Sequence, residues 1–178
     1  MGVDSLIEGV IGREGGYSNH PADRGGETMW GITIGVAREN GYHGPMKAMP
    51  RAVAKGIYLR RFVTKPGFGA VMALSEPIAE ELVDTGVNMG PTVPSLFLQQ
   101  ALNGLNNRGK LYSDIVEDGD VGPATLNALR AYLKRRGADG EAVMLKALNC
   151  LQGARYIELA GKRTANETFL YGWLRTRV

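Results

Sequence analysis

The hydrophobic residues near the N-terminus recur at helical spacing. Ser5 and Glu8 have the Ser-x-x-Glu spacing of a capping box, and two glycines after Glu14 end the pattern. The spacing therefore predicts a helix from about Ser5 to Glu14. Its apolar stripe consists of Ile7, Val10 and Ile11.

Glu14 falls on the apolar stripe of this predicted helix, because it lies seven residues after Ile7 and three after Ile11. Partial burial and the negative end of the helix dipole would both raise its pKa. A glutamic acid that stays protonated near neutral pH can protonate the leaving oxygen of a glycosidic bond. Glu14 is therefore a candidate general acid. The alternative is a partly exposed glutamate at a helix end, with no chemical role.

The pattern then alternates between turns and further helices. Residues 17–28 form a polar loop rich in turn residues, residues 28–34 predict one small β-hairpin, and residues 35–40 predict a brief helix. A second long helix starts at Pro50 and ends before Pro66. Ser75 caps a third helix, whose stripe consists of Ala79, Leu82, Val83, Gly86, Val87 and Gly90. The two glycines on that stripe predict close approach of another helix.

The C-terminal half also has helical spacing. A helix starts at Pro123, and residues 139–163 predict a long, central helix. Thr164 and Glu167 have capping-box spacing, so a terminal helix follows, with Phe169, Gly172 and Trp173 facing the core. The face assigned to the interior of the long helix consists of Ala147, Cys150, Leu151, Ala154 and Ile157. No linker rich in Pro, Gly or Ser divides the chain, so we expect a mainly α fold in one compact domain, residues 1–178, with a hairpin near residues 28–34.

Composition agrees with a soluble domain of 178 residues, 44% of them hydrophobic. No apolar run reaches the roughly 18 residues of a membrane span, and the N-terminus lacks the features of a signal peptide, which predicts synthesis in the cytoplasm. The net charge of +3 favours an anionic partner. The basic clusters also suit helix C-termini in any protein. They are Arg60-Arg61, Lys134-Arg135-Arg136 and Lys162-Arg163.

Several kinds of catalytic site are excluded by the residues that the chain contains. His20 and His43 are its two histidines and Cys150 is its one cysteine, so we predict no metal site and no cofactor. Cys150 is expected in the core and not as a nucleophile. Residues 114–120 do not have the glycine and glutamate spacing of a calcium-binding EF-hand. A recognition helix for nucleic acid is absent as well, and carboxylate chemistry remains.

The stretch Glu14-Gly-Gly-Tyr-Ser-Asn-His-Pro-Ala-Asp-Arg-Gly-Gly-Glu-Thr-Met-Trp-Gly-Ile-Thr33 resembles the signature of glycoside hydrolase family 108. That family contains phage endolysins and secretion-associated muramidases. The run Asp-Thr-Gly-Val-Asn-Met-Gly at 84–90 and Phe-Leu-x-Gly-Trp at 169–173 also resemble the family. The resemblance implies a lysozyme-like α+β fold, with a catalytic part at residues 1–91.

Site residues follow from this resemblance. It implies that Glu14 is the catalytic acid. A wider resemblance to phage-type lysozymes implies that Asp23 orients water or offsets charge on the sugar, with Thr28 assisting through its hydroxyl. The alternative for Asp23 is a turn-shaping role. We assign substrate binding to Tyr17, Trp30, Tyr58 and Asn88, although plain core packing is the alternative for Tyr58 and its neighbour Phe62.

Residues 95–178 resemble small helical peptidoglycan-binding modules, in which Leu-Gln precedes an Asp-Gly turn and a Gly-x-x-Thr helix start. Here these are Leu98-Gln99, Asp118-Gly119 and Gly122 to Thr125. We expect this part to be integral to the single domain. The chain is thus expected to be a monomeric muramidase that cleaves between N-acetylmuramic acid and N-acetylglucosamine in periplasmic peptidoglycan, without binding nucleic acid or inserting into membranes. The alternative is a non-catalytic wall-binding or secretion-assisting protein.

Overall fold

The computed structural model describes residues 2–19 and 26–178, with Arg13 and Glu14 described by their backbone alone. The chain divides into two compact units, Met1–Lys65 and Pro66–Val178. This boundary lies within the catalytic part that the sequence placed at residues 1–91, and the predicted domain organisation stays a prediction. The fold class is confirmed, because the described residues are mostly helical and contain a small two-stranded antiparallel sheet.

The first unit contains three α-helices and one hairpin among its described residues. A short 3-10 helix, Met46–Ala48, precedes the third α-helix, and a π-helical turn, Arg60–Thr64, follows it. The α-helices and strands are α1 (Val3–Glu14), β1 (Thr28–Met29), β2 (Ile32–Thr33), α2 (Ile34–Glu39) and α3 (Arg51–Leu59).

Helix α1 ends at Glu14, as predicted, but begins two residues earlier than Ser5. The predicted capping box is wrong: Gly2 is the N-cap without a side-chain bond, and Glu8 instead accepts hydrogen bonds from Arg51 on α3. The Glu8 carboxylate, which the local motif assigned to capping, thus forms a long-range ion pair with Arg51. The apolar stripe is confirmed, because its three residues, Ile7, Val10 and Ile11, are buried.

The predicted hairpin is present. Thr28 pairs with Thr33 and Met29 with Ile32, so Trp30 and Gly31 form a two-residue loop. Their φ angles are 56° and 74°, and positive φ at both central positions is the geometry of a type I′ turn, which matches the twist of hairpin strands. Glycine adopts this conformation readily, whereas a tryptophan there is strained and must be held by its surroundings.

The second unit is helical throughout its regular structure. Helix α7 is interrupted at Gly137, whose φ of 60° and ψ of −148° are not helical. A short 3-10 helix, Thr164–Asn166, joins the last two α-helices. The α-helices are α4 (Phe68–Met72), α5 (Glu76–Met89), α6 (Thr92–Leu105), α7 (Pro123–Lys162) and α8 (Glu167–Arg177).

Helix α5 is the element predicted most accurately. The Ser75 hydroxyl caps it by accepting a hydrogen bond from the backbone N–H of Ile78, and its predicted stripe is buried from Ala79 to Gly86. A β-carbon added at Gly86 would lie within 3.6 Å of atoms from α4 and α6, which confirms close approach there. Gly90 does not share this role, because it ends the helix with a φ of 85° and has no atom near its added β-carbon.

The face predicted to be buried on α7 is wrong. Cys150 and Ala154 are exposed and Ile157 is 57% exposed, so Cys150 is not a core residue. The buried face lies one residue further along and includes the polar Gln152, whose amide donates to the Thr85 hydroxyl at 2.7 Å. The prediction assigned the apolar residues of the helix to the interior. In the structure, the polar Gln152 is buried in their place. The residues buried along this segment are Met144, Leu148, Gln152, Gly153, Tyr156 and Ala160.

The capping box predicted for α8 is also wrong. Thr164 belongs to the preceding 3-10 helix, and the N-cap is Asn166, whose side chain donates to the carbonyl of Leu159 and not to the helix it precedes. Trp173 does pack inward, stacking on Tyr156 with ring centroids 5.0 Å apart, but Phe169 is 57% exposed. Within the described chain, no helix is both long and apolar enough to cross a membrane.

Gly67→Ala is expected to destabilise the second unit by on the order of 2 kcal/mol, because a methyl group would meet the carbonyl oxygen of Val121 at 2.6 Å and φ is 82°. Chemical denaturation measures the loss. Gly109→Ala is the matched control, since its φ of 75° gives similar backbone strain in open space. Equal losses in the two variants would contradict a steric contribution at Gly67.

Candidate active site

Glu14 is the last residue of α1, and Gly15 follows it with a φ of 76°, so the chain leaves the helix sharply at this point. Its predicted burial and raised pKa concern a side chain outside the described atoms and stay predictions. Asp23 also lies outside the described residues. The described surroundings of the site therefore come from the segment after Gly15, from the hairpin and from α3.

The segment after Glu14 pairs with the hairpin. The backbone N–H of Ser18 donates to the carbonyl of Thr28 at 2.9 Å, and the N–H of Thr28 donates to the carbonyl of Ser18 at 2.8 Å. Ser18 is four positions after Glu14, so the backbone of Glu14 lies within about 14 Å of Ser18 even if this segment is fully extended. The Thr28 hydroxyl donates to the carbonyl of Gly26 at 3.4 Å, which places this predicted site residue at the start of the hairpin.

Tyr17 extends across this region toward Glu27. Its hydroxyl donates to the Glu27 carboxylate at 3.1 Å, and the Lys47 ammonium lies 6.0 Å from its ring centroid. Partial burial and the Glu27 contact raise the pKa of the Tyr17 hydroxyl. The ring is 37% exposed and can offer a surface to a ligand. Our sequence interpretation gave Glu27 no role. Its hydrogen bond with Tyr17 places this carboxylate at the candidate site.

Trp30 is held at the hairpin tip by three contacts. Its indole N–H donates to the carbonyl of Met49 at 3.0 Å, and its own carbonyl accepts a hydrogen bond from the Tyr58 hydroxyl at 3.2 Å. The guanidinium carbon of Arg51 lies 5.5 Å from the ring centroid, within cation–π range. These contacts offset the strain of its positive φ and leave the side chain half-buried.

Tyr58 contributes to this arrangement from the interior. It is 7% exposed and stacks on Phe62 with ring centroids 5.7 Å apart. This burial favours the core-packing alternative for Tyr58, whereas Phe62 is half-buried. The hydroxyl group of Tyr58 donates to the Trp30 carbonyl and so helps to hold the hairpin tip.

Asn88, the fourth residue assigned to substrate binding, belongs to the second unit. It is exposed on α5, and its amide donates to the backbone carbonyl of Asp84 at 2.6 Å. The Asp84 carboxylate accepts hydrogen bonds from Arg177 of α8 at 2.7 and 2.9 Å. The polar face shared by Asp84 and Asn88 is therefore tied to the C-terminal helix.

Glu81, one turn before Thr85 on α5, is an ionisable residue that sequence reasoning did not single out. Burial and, to a smaller extent, the charge of Asp84 raise its pKa, while the Thr85 hydrogen bond and the charge of Arg177 lower it; the net result is a pKa of about 7. The Thr85 hydroxyl donates to its carboxylate at 3.2 Å. No sequence signal marked this position, because its burial depends on the packing of α5 in the second unit.

Glu81→Gln is expected to flatten the pH dependence of stability. Because the pKa rises from 4.5 to about 7 on folding, the folded state binds more protons, and the free energy of unfolding falls as pH rises through this window. The shift corresponds to roughly 3 kcal/mol at about 1.4 kcal/mol per pKa unit. Denaturant unfolding between about pH 4 and 8 measures the difference. Parallel curves for wild type and variant would contradict it; Glu76→Gln, exposed on the same helix, is the control.

The Leu-Gln, Asp-Gly and Gly-x-x-Thr motifs meet in one hydrogen-bond network. The buried amide of Gln99 donates to the Asp118 carboxylate at 2.7 Å and to the Asp120 carbonyl at 3.0 Å, and accepts from the N–H of Gly119 at 2.8 Å. It also lies 3.2 Å from the Thr125 hydroxyl. Bonds from the Asp120 N–H and from Gln99 lower the pKa of Asp118. The motif therefore joins α6, a turn and the start of α7, which is a structural role.

Two further observations concern possible ligands. In the described parts of the chain, no group of three or more His, Cys, Asp or Glu residues is placed to hold a metal ion. The second unit has an open groove of about 390 Å³ between α6 and the later part of α7. Its lining is mostly apolar, and an ion pair between Arg155 and Glu158 at 2.6 Å lies along it.

Comparison with known proteins gives matches over nearly the whole chain. Residues 7–90 match the family model described as Glycosyl hydrolase 108, and residues 93–178 match the model described as Predicted Peptidoglycan domain. No curated protein matches the chain significantly. The solved structure of Brucella abortus SagA is 22% identical, with a TM-score of 0.58 over 96% of this chain and 94% of its own.

The likeness to SagA establishes the fold and agrees with the lysozyme-like α+β class expected from the sequence. The two family matches support a glycoside hydrolase that acts on peptidoglycan or binds it. The resemblance that the motifs indicated is thereby confirmed: residues 7–90 are similar to the glycosyl hydrolase 108 family and residues 93–178 to the predicted peptidoglycan domain, each over slightly less than half of the chain.

Proposed function

We propose that this protein is a muramidase that hydrolyses the β-1,4 bond between N-acetylmuramic acid and N-acetylglucosamine, with Glu14 as the general acid. The observation that carries the proposal is the match of residues 7–90 to the glycosyl hydrolase 108 family, within which Glu14 closes a helix and precedes a turn. Peptidoglycan is the partner that the second match supports. Endolysin-type lysis of bacterial cells from the periplasmic side belongs to the same proposal.

Glu14 would deliver its proton to the glycosidic oxygen as the bond to the anomeric carbon breaks. The sugar ring then carries positive charge, which a carboxylate or a positioned water must stabilise or attack. We assign this second role to Asp23, with the Thr28 hydroxyl as a neighbouring hydrogen-bonding group. Tyr17 lies three residues after Glu14, and Trp30 lies at the tip of the hairpin that pairs with Ser18. We assign both to sugar binding through their ring faces.

The alternative function is non-catalytic binding of peptidoglycan, or assistance to secretion, on the same fold. The observation in its favour is that a peptidoglycan domain match covers residues 93–178 and includes the apolar groove beside α6. Asn88, exposed on α5 in the second unit, is the residue that we assign to glycan contact outside the first unit.

Product analysis separates these functions. Purified protein is incubated with isolated sacculi, and soluble fragments are reduced with borohydride and examined by mass spectrometry. We expect new reducing ends on N-acetylmuramic acid. Reducing ends on N-acetylglucosamine, anhydro sugars or free stem peptides would each contradict the proposed bond. Sedimentation with sacculi without any release of fragments would support the binding function in place of catalysis.

A further inference from the structure

Arg51 connects α1 to the hairpin tip in the first unit. Its side chain donates two hydrogen bonds to the Glu8 carboxylate, at 3.0 and 2.8 Å, and one to the Glu8 backbone carbonyl at 3.2 Å. The same guanidinium lies over the Trp30 ring, with 5.5 Å between its central carbon and the ring centroid. One arginine therefore contacts both the helix that ends in Glu14 and the aromatic ring assigned to sugar binding.

This geometry uses properties that lysine does not have. Arginine presents several N–H groups in a planar fork, so it can bond Glu8 and lie flat against an aromatic face at the same time. A lysine keeps the charge, but its three N–H donors lie on one nitrogen and form no planar fork. The Glu8 bonds fix the guanidinium from one side, and Trp30 has its indole N–H fixed by Met49, so neither partner of the stacked pair turns freely.

Trp30 needs such support because its backbone is strained. A φ of 56° is uncommon for a residue with a large side chain, and it persists only where surrounding contacts impose it. The guanidinium lies over the indole ring, which is half-buried and so keeps part of its surface accessible. Of the ring's contacts with Arg51 and Met49, only the Met49 hydrogen bond would remain after removal of the guanidinium, so the ring would gain freedom about that bond while the hairpin pairing is kept.

Lys55 provides a matched comparison one turn further along α3. It also joins α3 to α1, with ion pairs of 2.9 Å to Asp4 and 3.4 Å to Glu8. Lys55 thus pairs with two acids of α1, whereas Arg51 pairs with Glu8 and also contacts Trp30. A change at Lys55 therefore weakens the same helix pair without acting on the indole.

From these contacts we propose that Arg51 is a positioning residue, which fixes the Trp30 ring in the orientation that binds the glycan strand. This rests on the proposed function insofar as it takes a peptidoglycan glycan as the ligand of Trp30. It adds a residue that has no part in the family signature quoted above, and it assigns the Glu8–Arg51–Trp30 chain a role in substrate affinity and not only in stability.

The test uses Trp30 as its own reporter. The chain has two tryptophans, so Trp173→Phe leaves Trp30 as the sole tryptophan, whose emission is excited selectively at wavelengths that tyrosine does not absorb, and Glu14→Gln in the same protein prevents cleavage. Arg51→Lys and Lys55→Gln are each introduced into this background. Each protein is titrated with a peptide-free tetrasaccharide of alternating N-acetylglucosamine and N-acetylmuramic acid, and its iodide quenching and Tm are measured.

We expect Arg51→Lys to increase iodide quenching of Trp30 about twofold and to weaken tetrasaccharide binding about tenfold. Lys55→Gln should change both values little while lowering the Tm by a similar amount. Equal quenching and equal Kd in the two variants, or a background protein whose Trp30 does not respond to the sugar, would overturn the proposal. The proposed function is tested separately. It fails if wild-type protein produces no new reducing ends in sacculi.

Discussion

Replacing Glu14 by glutamine is expected to leave the fold intact and to remove nearly all hydrolysis of peptidoglycan. The amide keeps the size and shape of the side chain but cannot donate a proton to a glycosidic oxygen. Without protonation, the leaving sugar would depart as an alkoxide, which raises the barrier sharply. The measurement is the rate at which reducing ends appear in sacculi, alongside the Tm of the same preparation.

The control for this change is Glu39→Gln. Glu39 is an exposed glutamate at the end of α2 in the same unit, so its replacement removes one carboxylate without touching the site. It should retain wild-type rate. If Glu14→Gln kept more than roughly a tenth of the wild-type rate, Glu14 would not be the acid. If its Tm also fell strongly, the loss of rate would report on folding.

The parts of the fold that the sequence predicted well are those in which local signals and packing agree. Helix α5 has a serine cap and a stripe of apolar residues and glycines; the cap is present in the structure, and the stripe is buried from Ala79 to Gly86. The end of α1 was equally clear, because two glycines follow Glu14 and the first of them adopts a φ of 76°.

Capping boxes were less reliable because they depend on a side chain that other partners can bind. Glu8 satisfies the motif in sequence, but Arg51, forty-three residues away, takes its carboxylate. Thr164 satisfies the motif as well, but a 3-10 helix occupies that position. A tertiary contact prevents the first capping box, and a different helix start prevents the second. Neither can be predicted from residue spacing alone.

The register of α7 failed for a related reason. A face of small apolar residues around Cys150 looked suitable for the interior, yet the helix buries Gln152 and Tyr156 and leaves Cys150 exposed. A rotation of about 100° per residue separates the two faces. The Gln152 amide donates to the buried Thr85 hydroxyl, so a polar pair between helices outweighed the apolar pattern.

At the candidate site, the sequence indicated residue types but not their contacts. Trp30 was assigned to substrate binding, but its positive φ could not be read from Met-Trp-Gly-Ile, which lacks the Asn-Gly or Asp-Gly pair typical of such turns. Arg51 and Glu27 received no role because their partners, Trp30 and Tyr17, lie far away or across a loop. Contacts of this kind are set by the fold.

Asp23→Asn is expected to lower the rate of peptidoglycan hydrolysis by on the order of a hundredfold, with a nearly unchanged Tm. In our proposal, its carboxylate orients the attacking water or offsets positive charge on the sugar ring, and a neutral amide does neither. The alternative is that Asp23 shapes the turn before two glycines by accepting bonds from backbone N–H groups, a role that asparagine largely preserves. Rate and Tm must therefore be measured on the same samples, with the exposed Asp139→Asn as control. Near-normal turnover in Asp23→Asn would exclude the two-carboxylate mechanism and leave Glu14 working with a water held by neutral groups such as the Thr28 hydroxyl.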